Sequence, residues 1–376
     1  MLIGFCIFKY FPHGGIQRDL LKIAGECLHR GHRVRIYTMQ WRGEFPDGFD
    51  VRVLPVSALS NHRRYLRFHR LVRRNLAADP VDLLVGMNKM PDLDIYYAGD
   101  TCFAEKLQHQ RPAWYRLLPR SVLLSRFEAA VYAAGSKTRI FSISDTEQAV
   151  FQRHYRTPDD RFFQLPPGIE EDRIAPADVS TIRSGFRREF DLNDDDLLLL
   201  FVGSGFRKKG LDRVLPAIAA LPEELLPRVQ LFVVGSDNAK PFQRAARRLG
   251  IADRVRFFPG RDDVPSFLFA ADGLVLPAYD ETAGMIILES MFAGLPALVS
   301  ENCGYAHYLA DAGAGMISSL PFAQRCFDAQ LVELLTSPER QLWSQRGRMA
   351  ARRPEFFQLA EAAVDYLETF VGRPGS

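Results

Sequence analysis

Glu281-Thr282-Ala283-Gly284-Met285-Ile286-Ile287-Leu288-Glu289 is the stretch on which the reading of this chain turns. Two carboxylates stand eight positions apart, with a small Thr-Ala-Gly step between them and the apolar run Met285–Leu288 after it. Upstream, Gly273-Leu-Val-Leu-Pro-Ala278 has the composition of a short buried strand, and downstream Gly294-Leu-Pro296 stops a helix. The pattern predicts strand, loop, helix, with Glu281 in the loop at the strand's carboxyl end, Gly284 opening the helix and Glu289 inside it. A helix amino terminus exposes unpaired N–H groups and a partial positive charge, which suits a diphosphate. A carboxylate further along can accept hydrogen bonds from ribose hydroxyls, and one in the loop can meet a sugar. Glutamate pairs at this spacing also arise in ordinary helices. The position directly after a strand ending in Pro277 favours a nucleotide-sugar site.

Outward from this cassette, short apolar runs alternate with helical patterns. In the second half the strands are Leu197–Val202, Gln230–Val234, Val255–Phe258, Leu274–Leu276 and Ala297–Ser300. In the first half strands fall at 2–9, 33–38 and near 82–87, 94–99 and 139–144, with helices at 16–30, 62–76, 113–133 and 145–154. Such alternation implies parallel sheets covered on both faces, here in two doubly wound sets. Pro166-Pro167-Gly168 and the polar stretch 170–196 read as the linker between them. In open α/β sheets ligands bind beyond the carboxyl ends of the strands, so a cleft between two such domains is the expected site. The predicted organisation is an N-terminal domain over 1–168, a C-terminal domain over 169–352 and a terminal helical segment over 353–376 that crosses back to the first domain.

A chain of 376 residues accommodates two such domains, and 47% hydrophobic with 25% charged residues is the composition of a globular protein. The net charge of +3 points to no class of partner, so local clusters matter more. The five cysteines are scattered without a C-x-x-C pair, which argues for a reducing compartment and against a disulfide framework or a zinc site. The apolar start Met-Leu-Ile-Gly-Phe-Cys-Ile-Phe is short and has no basic leader, so it reads as the first strand. No run reaches the roughly 18 apolar residues of a spanning helix.

Three further groups carry chemistry. Gly14-Gly15 lies between the first strand and the first helix, where backbone can approach a phosphate or simply turn. Asp19, one turn into that helix, fits either a favourable dipole contact or a functional role. Gly203-Ser-Gly-Phe-Arg207-Lys208-Lys209-Gly210 follows the strand Leu197–Val202, and three cations between glycines can clamp a diphosphate as charge develops on it. Asp92-Leu-Asp94 spells a D-x-D metal motif, but Asp94 opens a strand far from the donor cassette, so no metal site is expected. Asp194-Asp-Asp196 reads as a solvated turn. His307 and Tyr308 are weak candidates for the cleft wall. The helix His62–Arg74 carries six arginines and no acid, a face suited to a polyanion, yet no nucleic-acid-binding motif accompanies it.

Together these residues resemble the retaining, GT-B-fold nucleotide-sugar glycosyltransferases: a Glu-x7-Glu motif, a Lys-Gly after the first strand of the second domain, and a glycine turn after strand one. Phe8–Asp19, Gly86-Met-Asn-Lys-Met-Pro91, Leu165-Pro-Pro-Gly168 and Cys303-Gly-Tyr-Ala-His-Tyr308 further resemble the lipopolysaccharide core glucosyltransferase I family, and the similarity spans essentially the whole chain. The resemblance implies a GT-B fold of two Rossmann-like domains facing each other across a cleft. It also implies transfer of a hexose or N-acetylhexosamine from a UDP-sugar to a heptose of the lipopolysaccharide inner core, on the cytoplasmic face of the inner membrane. Neither a cofactor nor a metal is implied.

Carried onto matching positions, the resemblance gives Glu281 the donor sugar's hydroxyls and Glu289 the ribose. The amides of Ala283, Gly284 and Met285 would hold phosphate with Gly15. Lys209 would neutralise the departing diphosphate with Arg207 or Lys208 beside it. Arg261 would border the uracil pocket, and Asp19 and Asp100 would lie on the acceptor side. Ser204 stands where many relatives have arginine, which leaves open which cation replaces it. Front-face attack and double displacement through Asp100 both remain open. So do two other functions: a transferase of another cell-surface polysaccharide and a non-catalytic nucleotide or polyanion binder. Finally, residues 102–132 mix Lys106, Arg111, Arg116, Arg120 and Arg126 with Phe103, Trp114, Tyr115, Leu117, Leu118, Leu123, Leu124 and Phe127. That composition suits either an anionic lipid surface or a helix packed on the sheet.

Overall fold

The computed structural model describes residues 1–12 and 14–371. They divide into two compact units, residues 1–168 with those from 358 to 371, and residues 169–357. Residues 372–376 of the expected terminal segment lie outside the described part.

The first unit runs β1 (Leu2–Ile7), α1 (Gly15–His29), β2 (Arg33–Thr38), β3 (Phe49–Val53), α2 (Asn61–Ala78), β4 (Leu83–Gly86), β5 (Ile95–Tyr97), α3 (Phe103–His109), α4 (Pro119–Tyr132), β6 (Arg139–Ser142), α5 (Asp145–Tyr155) and β7 (Phe162–Gln164). Its strands form one sheet in the order β3-β2-β1-β4-β5-β6-β7, and every pair is parallel. The order reverses between β1 and β4, so the loops leaving those two strands part company at that point of the sheet, the position where doubly wound folds bind ligands. One face is filled by Phe68, Tyr96, Tyr132 and Phe151, with the Tyr132 and Phe151 rings stacked at 3.7 Å.

The second unit runs α6 (Val179–Glu189), β8 (Leu197–Val202), α7 (Leu211–Ala219), β9 (Val229–Val234), α8 (Lys240–Arg248), β10 (Val255–Phe258), α9 (Val264–Ala270), β11 (Gly273–Leu276), α10 (Met285–Ala293), β12 (Ala297–Ser300), α11 (Ala306–Ala312), β13 (Gly315–Ser318), α12 (Gln324–Thr336) and α13 (Arg340–Ala350). Its sheet, also wholly parallel, has the order β10-β9-β8-β11-β12-β13. Strands such as Leu-Leu-Leu-Leu-Phe-Val in β8 are continuous rather than alternating because helices cover both faces. Here the order reverses between β8 and β11, the strands that precede the Lys209 loop and the Glu281 loop.

The last helix, α14 (Leu359–Val371), belongs to the first unit and packs on α1. Arg30 bonds Asp365 at 2.6 Å and Glu368 at 3.2 Å, while the Tyr366 ring lies 4.5 Å from that of Phe163.

Several expectations need correction. The helix expected over 113–133 is a 3-10 turn, Ala113–Leu117, followed by α4. Pro119 has no N–H to continue the first turn, and Leu118 before it is extended at φ −64°, ψ 138°. The stretch 170–196 is not merely a linker: it contains a 3-10 turn at Glu171–Arg173 and α6, which packs on α9 within the second unit. Strands β3, β7 and β13 were not expected. The five cysteines are free thiols, four of them buried.

Candidate active site

In the second unit the loops after β8 and β11 meet at the point where strand order reverses. Lys209 Nζ donates to Glu281 Oε2 at 2.6 Å, with the two side chains 16% and 15% exposed. Burial works against ionisation of Glu281, but Lys209 and then Lys208 outweigh it and hold the carboxyl below its usual value. The pair sits on a rigid floor. Gly210, at φ +85°, lets the chain pass so close to Pro277 that a Cβ would fall 2.0 Å from that carbonyl oxygen. The Tyr279 amide donates to Lys208 O at 2.9 Å, and the Tyr279 hydroxyl donates to Asp212 at 2.9 Å. The Arg213 guanidinium lies between the Tyr279 and Phe322 rings, 3.6 and 3.9 Å from their centroids, and donates to Pro277 O and Ala278 O.

On its other side the Glu281 loop is held by the next strand's exit. Gly304 N donates to Glu281 O at 3.1 Å and Tyr305 N to Ala283 O at 2.7 Å. Gly284, at φ +83°, then opens α10, and no side chain caps that helix. The amide end of α10 therefore starts beside Glu281, the geometry an anionic phosphate requires. The helix is apolar all round and almost wholly buried, so Glu289 reaches its place on a rigid element rather than a loop.

Among the expected site residues of this unit, Lys209, Glu281, Ala283, Gly284 and Met285 are thus brought together. Arg207 is largely exposed and lies 3.5 Å from Asp212, and Lys208 is also exposed. Arg261 makes a two-pronged pair with Asp263, both contacts 2.6 Å, and lies over the Phe267 ring at 5.1 Å. His307 is tied to Gly304 O at 2.8 Å and its ring lies tilted against that of Tyr308, centroids 4.0 Å apart, a structural setting.

Sequence reasoning missed Arg173. Its side chain is buried, with Nε 3.9 Å from Glu289 Oε1 and 3.3 Å from Asp172 Oδ1. Nε and Nη1 make no hydrogen bond among the described residues, and neither does the buried Thr282 hydroxyl. Buried donors of this kind call for a polar partner. The signal was present as a single arginine closing the acidic turn Glu170-Glu171-Asp172, but it was read as linker.

In the first unit Asp19 is buried in α1 and accepts a hydrogen bond from the Tyr97 hydroxyl at 2.7 Å. Gly15 is the first residue of α1, with open space where a Cβ would be. Asp100 is exposed in the loop after β5. Asp92 and Asp94 have structural duties. Asp92 pairs with His69 at 3.0 Å and Arg73 at 3.4 Å, and Asp94 Oδ2 accepts the Leu84 amide at 2.8 Å.

Two family models match the chain: Glycosyltransferase Family 4 over residues 13–173, and Glycosyl transferases group 1 over residues 183–349. Lipopolysaccharide glucosyltransferase WaaG of Escherichia coli strain K12 is 42% identical over 98% of both chains. The chain belongs to the WaaG family of glycosyltransferases. A crystal structure of WaaG covers 97% of this chain and 99% of its own at a TM-score of 0.94 and 41% identity, which makes the fold GT-B. Sucrose-phosphate synthase from Thermosynechococcus elongatus, at 17% identity and a TM-score of 0.80 over 99% of this chain, shares the same fold.

Proposed function

We propose that this chain transfers a hexose from a UDP-sugar to a heptose of the lipopolysaccharide inner core, with retention at the anomeric carbon. The observation that carries the reading is the full-length similarity to the E. coli lipopolysaccharide glucosyltransferase WaaG. The second unit takes the donor and the first takes the acceptor. Glu281 binds the sugar hydroxyls, Glu289 the ribose, and the amides of Ala283, Gly284 and Met285 the diphosphate together with Gly15. Lys209 stabilises the charge that grows on the leaving diphosphate, a role for which a preorganised cation in a shielded site is effective. Arg207 and Lys208 add positive potential, Arg261 borders the base, and Asp19 and Asp100 meet the acceptor.

The reaction needs no divalent metal on this reading, because Lys209 supplies the charge at the leaving group. Retention proceeds by attack on the face from which UDP departs. A double displacement would require Asp100 at the anomeric carbon.

The enzyme works at the anionic cytoplasmic face of the inner membrane. No helix among the described residues is long and apolar enough to cross a membrane. Surface docking is supported by the segment around α4, where Trp114 is 61% and Leu117 81% exposed, beside exposed Arg111, Arg116, Arg120 and Arg126. Phe127, counted in that segment from sequence, is core instead.

The test is to incubate the purified enzyme with a panel of UDP-hexoses and UDP-N-acetylhexosamines and a truncated inner-core acceptor, with mass and linkage analysis of the product. One added hexose, α-linked from an α-donor, is expected on a heptose. Transfer to a different glycan alone would move the chain to another polysaccharide, and no transfer with any donor would leave only nucleotide binding.

A further inference from the structure

The loop after β4, residues 87–91, takes no part in the chemistry proposed above, yet it joins the loops on both sides of it. Asn88 Oδ1 accepts the amide of Phe8 at 2.8 Å, just where β1 ends and the chain heads for Gly15 and Asp19. Lys89 Nζ donates to Thr101 O at 2.8 Å, the residue after Asp100, and to Glu128 Oε2 at 2.6 Å. Adjacent residues thus brace the loops of β1 and β5 across the reversal of strand order in the first sheet.

Glu128 is the fixed end of this brace. Its side chain is 0% exposed, within α4, and it accepts from Phe103 N at 2.7 Å, Ala104 N at 2.9 Å and the Tyr155 hydroxyl at 2.7 Å besides Lys89. Lys89 itself lies over the Phe151 ring at 4.8 Å, so its stem has little freedom. A buried ion pair is a poor source of net stability, because desolvation offsets most of the attraction. What such a pair with satisfied partners does supply is one defined geometry. Here the geometry fixed is that of the backbone that follows Asp100: Thr101 through Lys89, and Phe103 and Ala104 through Glu128.

We infer that Lys89, anchored by Glu128, is a positioning residue for acceptor use. It holds the Thr101 backbone directly after Asp100, and so the presentation of Asp100, while Asn88 sets the exit of β1. The inference rests on the reading of Asp100 as an acceptor-side residue. A displaced reacting group loses rate steeply with distance, so loosening this loop should act on acceptor kinetics rather than on the donor.

The experiment compares Lys89→Met, Lys89→Arg, Asp100→Ala and the double variant Lys89→Met/Glu128→Gln, which leaves no unpaired buried charge should the single variant fold poorly. Four quantities are measured: acceptor KM, kcat, UDP affinity, and slow UDP-sugar hydrolysis without acceptor. The expected result is an acceptor KM raised about tenfold in Lys89→Met and in the double variant, with UDP affinity and hydrolysis unchanged and partial recovery in Lys89→Arg. Unchanged acceptor KM in both Lys89→Met and the double variant, while Asp100→Ala raises it, would overturn the brace and leave the assignment of Asp100 standing. An equal fall in transfer and in acceptor-free hydrolysis would also overturn it, by showing a merely structural role. If Asp100→Ala alone leaves acceptor use intact, the assignment of Asp100 fails and takes the inference with it.

Discussion

Lys209 and Glu281 are 72 residues apart in sequence and 2.6 Å apart in space, paired because β8 and β11 are neighbours in the sheet and their loops meet beyond it. Neither residue is well solvated, and Lys209 favours the charged form of the Glu281 carboxyl. On the function proposed here, a donor's diphosphate would meet Lys209 and its sugar hydroxyls Glu281.

Removing either member should therefore damage turnover more than folding. Lys209→Ala and Glu281→Ala are each expected to lower kcat/KM by on the order of 10²-fold or more, since both groups act on the transition state. The double variant should lose much less than the product of the two, because groups acting as a unit are not additive. Glu289→Ala should mainly weaken UDP binding. Steady-state kinetics and calorimetric UDP titration check these outcomes; near-normal turnover in both single variants would remove the pair from the chemistry.

The ion pair also sets a pH dependence. Burial alone would raise the Glu281 pKa, yet Lys209 and Lys208 bring it below its ordinary 4.5. A carboxyl whose folded-state value is lowered stabilises the protein fully above its unfolded value, and that contribution disappears as pH falls through the folded value. Glu281 should thus cause no loss of stability or activity between pH 8 and about 5, and a loss only below its ordinary range. In Lys209→Ala the burial remains while the main opposing charge is gone, so the Glu281 carboxyl should move up past its ordinary value. A carboxyl raised in the folded state costs stability as pH rises, so the variant should be destabilised more at neutral than at acid pH. Melting curves from pH 3 to 8 of the wild type, Lys209→Ala and Lys209→Ala/Glu281→Gln test this. Relative to the double variant, which has no carboxyl at this position, the single variant should lose stability as pH rises from about 4 to 7.

Metal removal separates Lys209 from a divalent ion. Activity is expected to survive excess EDTA. Abolition by EDTA with rescue by Mn²⁺ or Mg²⁺ would show that an ion does the work assigned to Lys209.

The parts of this protein that could be read from sequence are those where one local pattern has one meaning. Leu197–Val202 and Ala297–Ser300 are apolar on both faces, and the glycines at 210 and 284 follow strands, so the second sheet and the Lys209–Glu281 loops were visible. β3 was not, because Phe-Asp-Val-Arg-Val is half exposed and reads like any polar edge segment. β7 has only three residues, and β13, Gly-Met-Ile-Ser, follows the small run Asp-Ala-Gly-Ala and offers only Met316 and Ile317 as an apolar signal. Arg173 was invisible for a different reason. Its meaning comes from Glu289, 116 positions later, and no spacing rule joins an acidic turn to a buried helix. Lys89 and Glu128 likewise become a pair only through the β4 loop and α4 packing on one sheet.

Backbone strain offers a test of the site's floor. At Gly210 a side chain meets both a positive φ and the Pro277 carbonyl, a backbone atom that cannot move aside. Gly210→Ala should cost about 2–4 kcal/mol of the stability measured by denaturant unfolding. Gly185, in α6 of the same unit, has open space around it, so Gly185→Ala should be stabilising by roughly 0.5–1 kcal/mol. Equal effects at the two positions would mean that the close approach at Pro277 is relieved cheaply.

If the chain works at a membrane as proposed, the surface around α4 is the part expected to meet it. Trp114, Leu117, Leu118 and Val122 are exposed apolar residues on a segment whose exposed cations are Arg111, Arg116, Arg120 and Arg126. The Phe127, Val131 and Tyr132 side of α4 is already committed to the core, so the exposed side has no packing duty in this unit. Each basic residue near an anionic surface contributes about 1 kcal/mol, and salt screens that attraction. Binding should therefore be reversible, stronger on anionic than on zwitterionic vesicles, and weakened at high salt. Replacing Arg116, Arg120 and Arg126 by Gln should release most of the protein from anionic vesicles, and Trp114→Ala with Leu117→Ala should reduce what remains at high salt. Co-sedimentation with vesicles of both compositions at two ionic strengths measures all of this. Equal binding to both lipids, or no loss in the arginine variant, would clear this segment and turn attention to α2. There Arg63, Arg67, Arg70 and Arg74 share the face opposite the buried Phe68 and Val72.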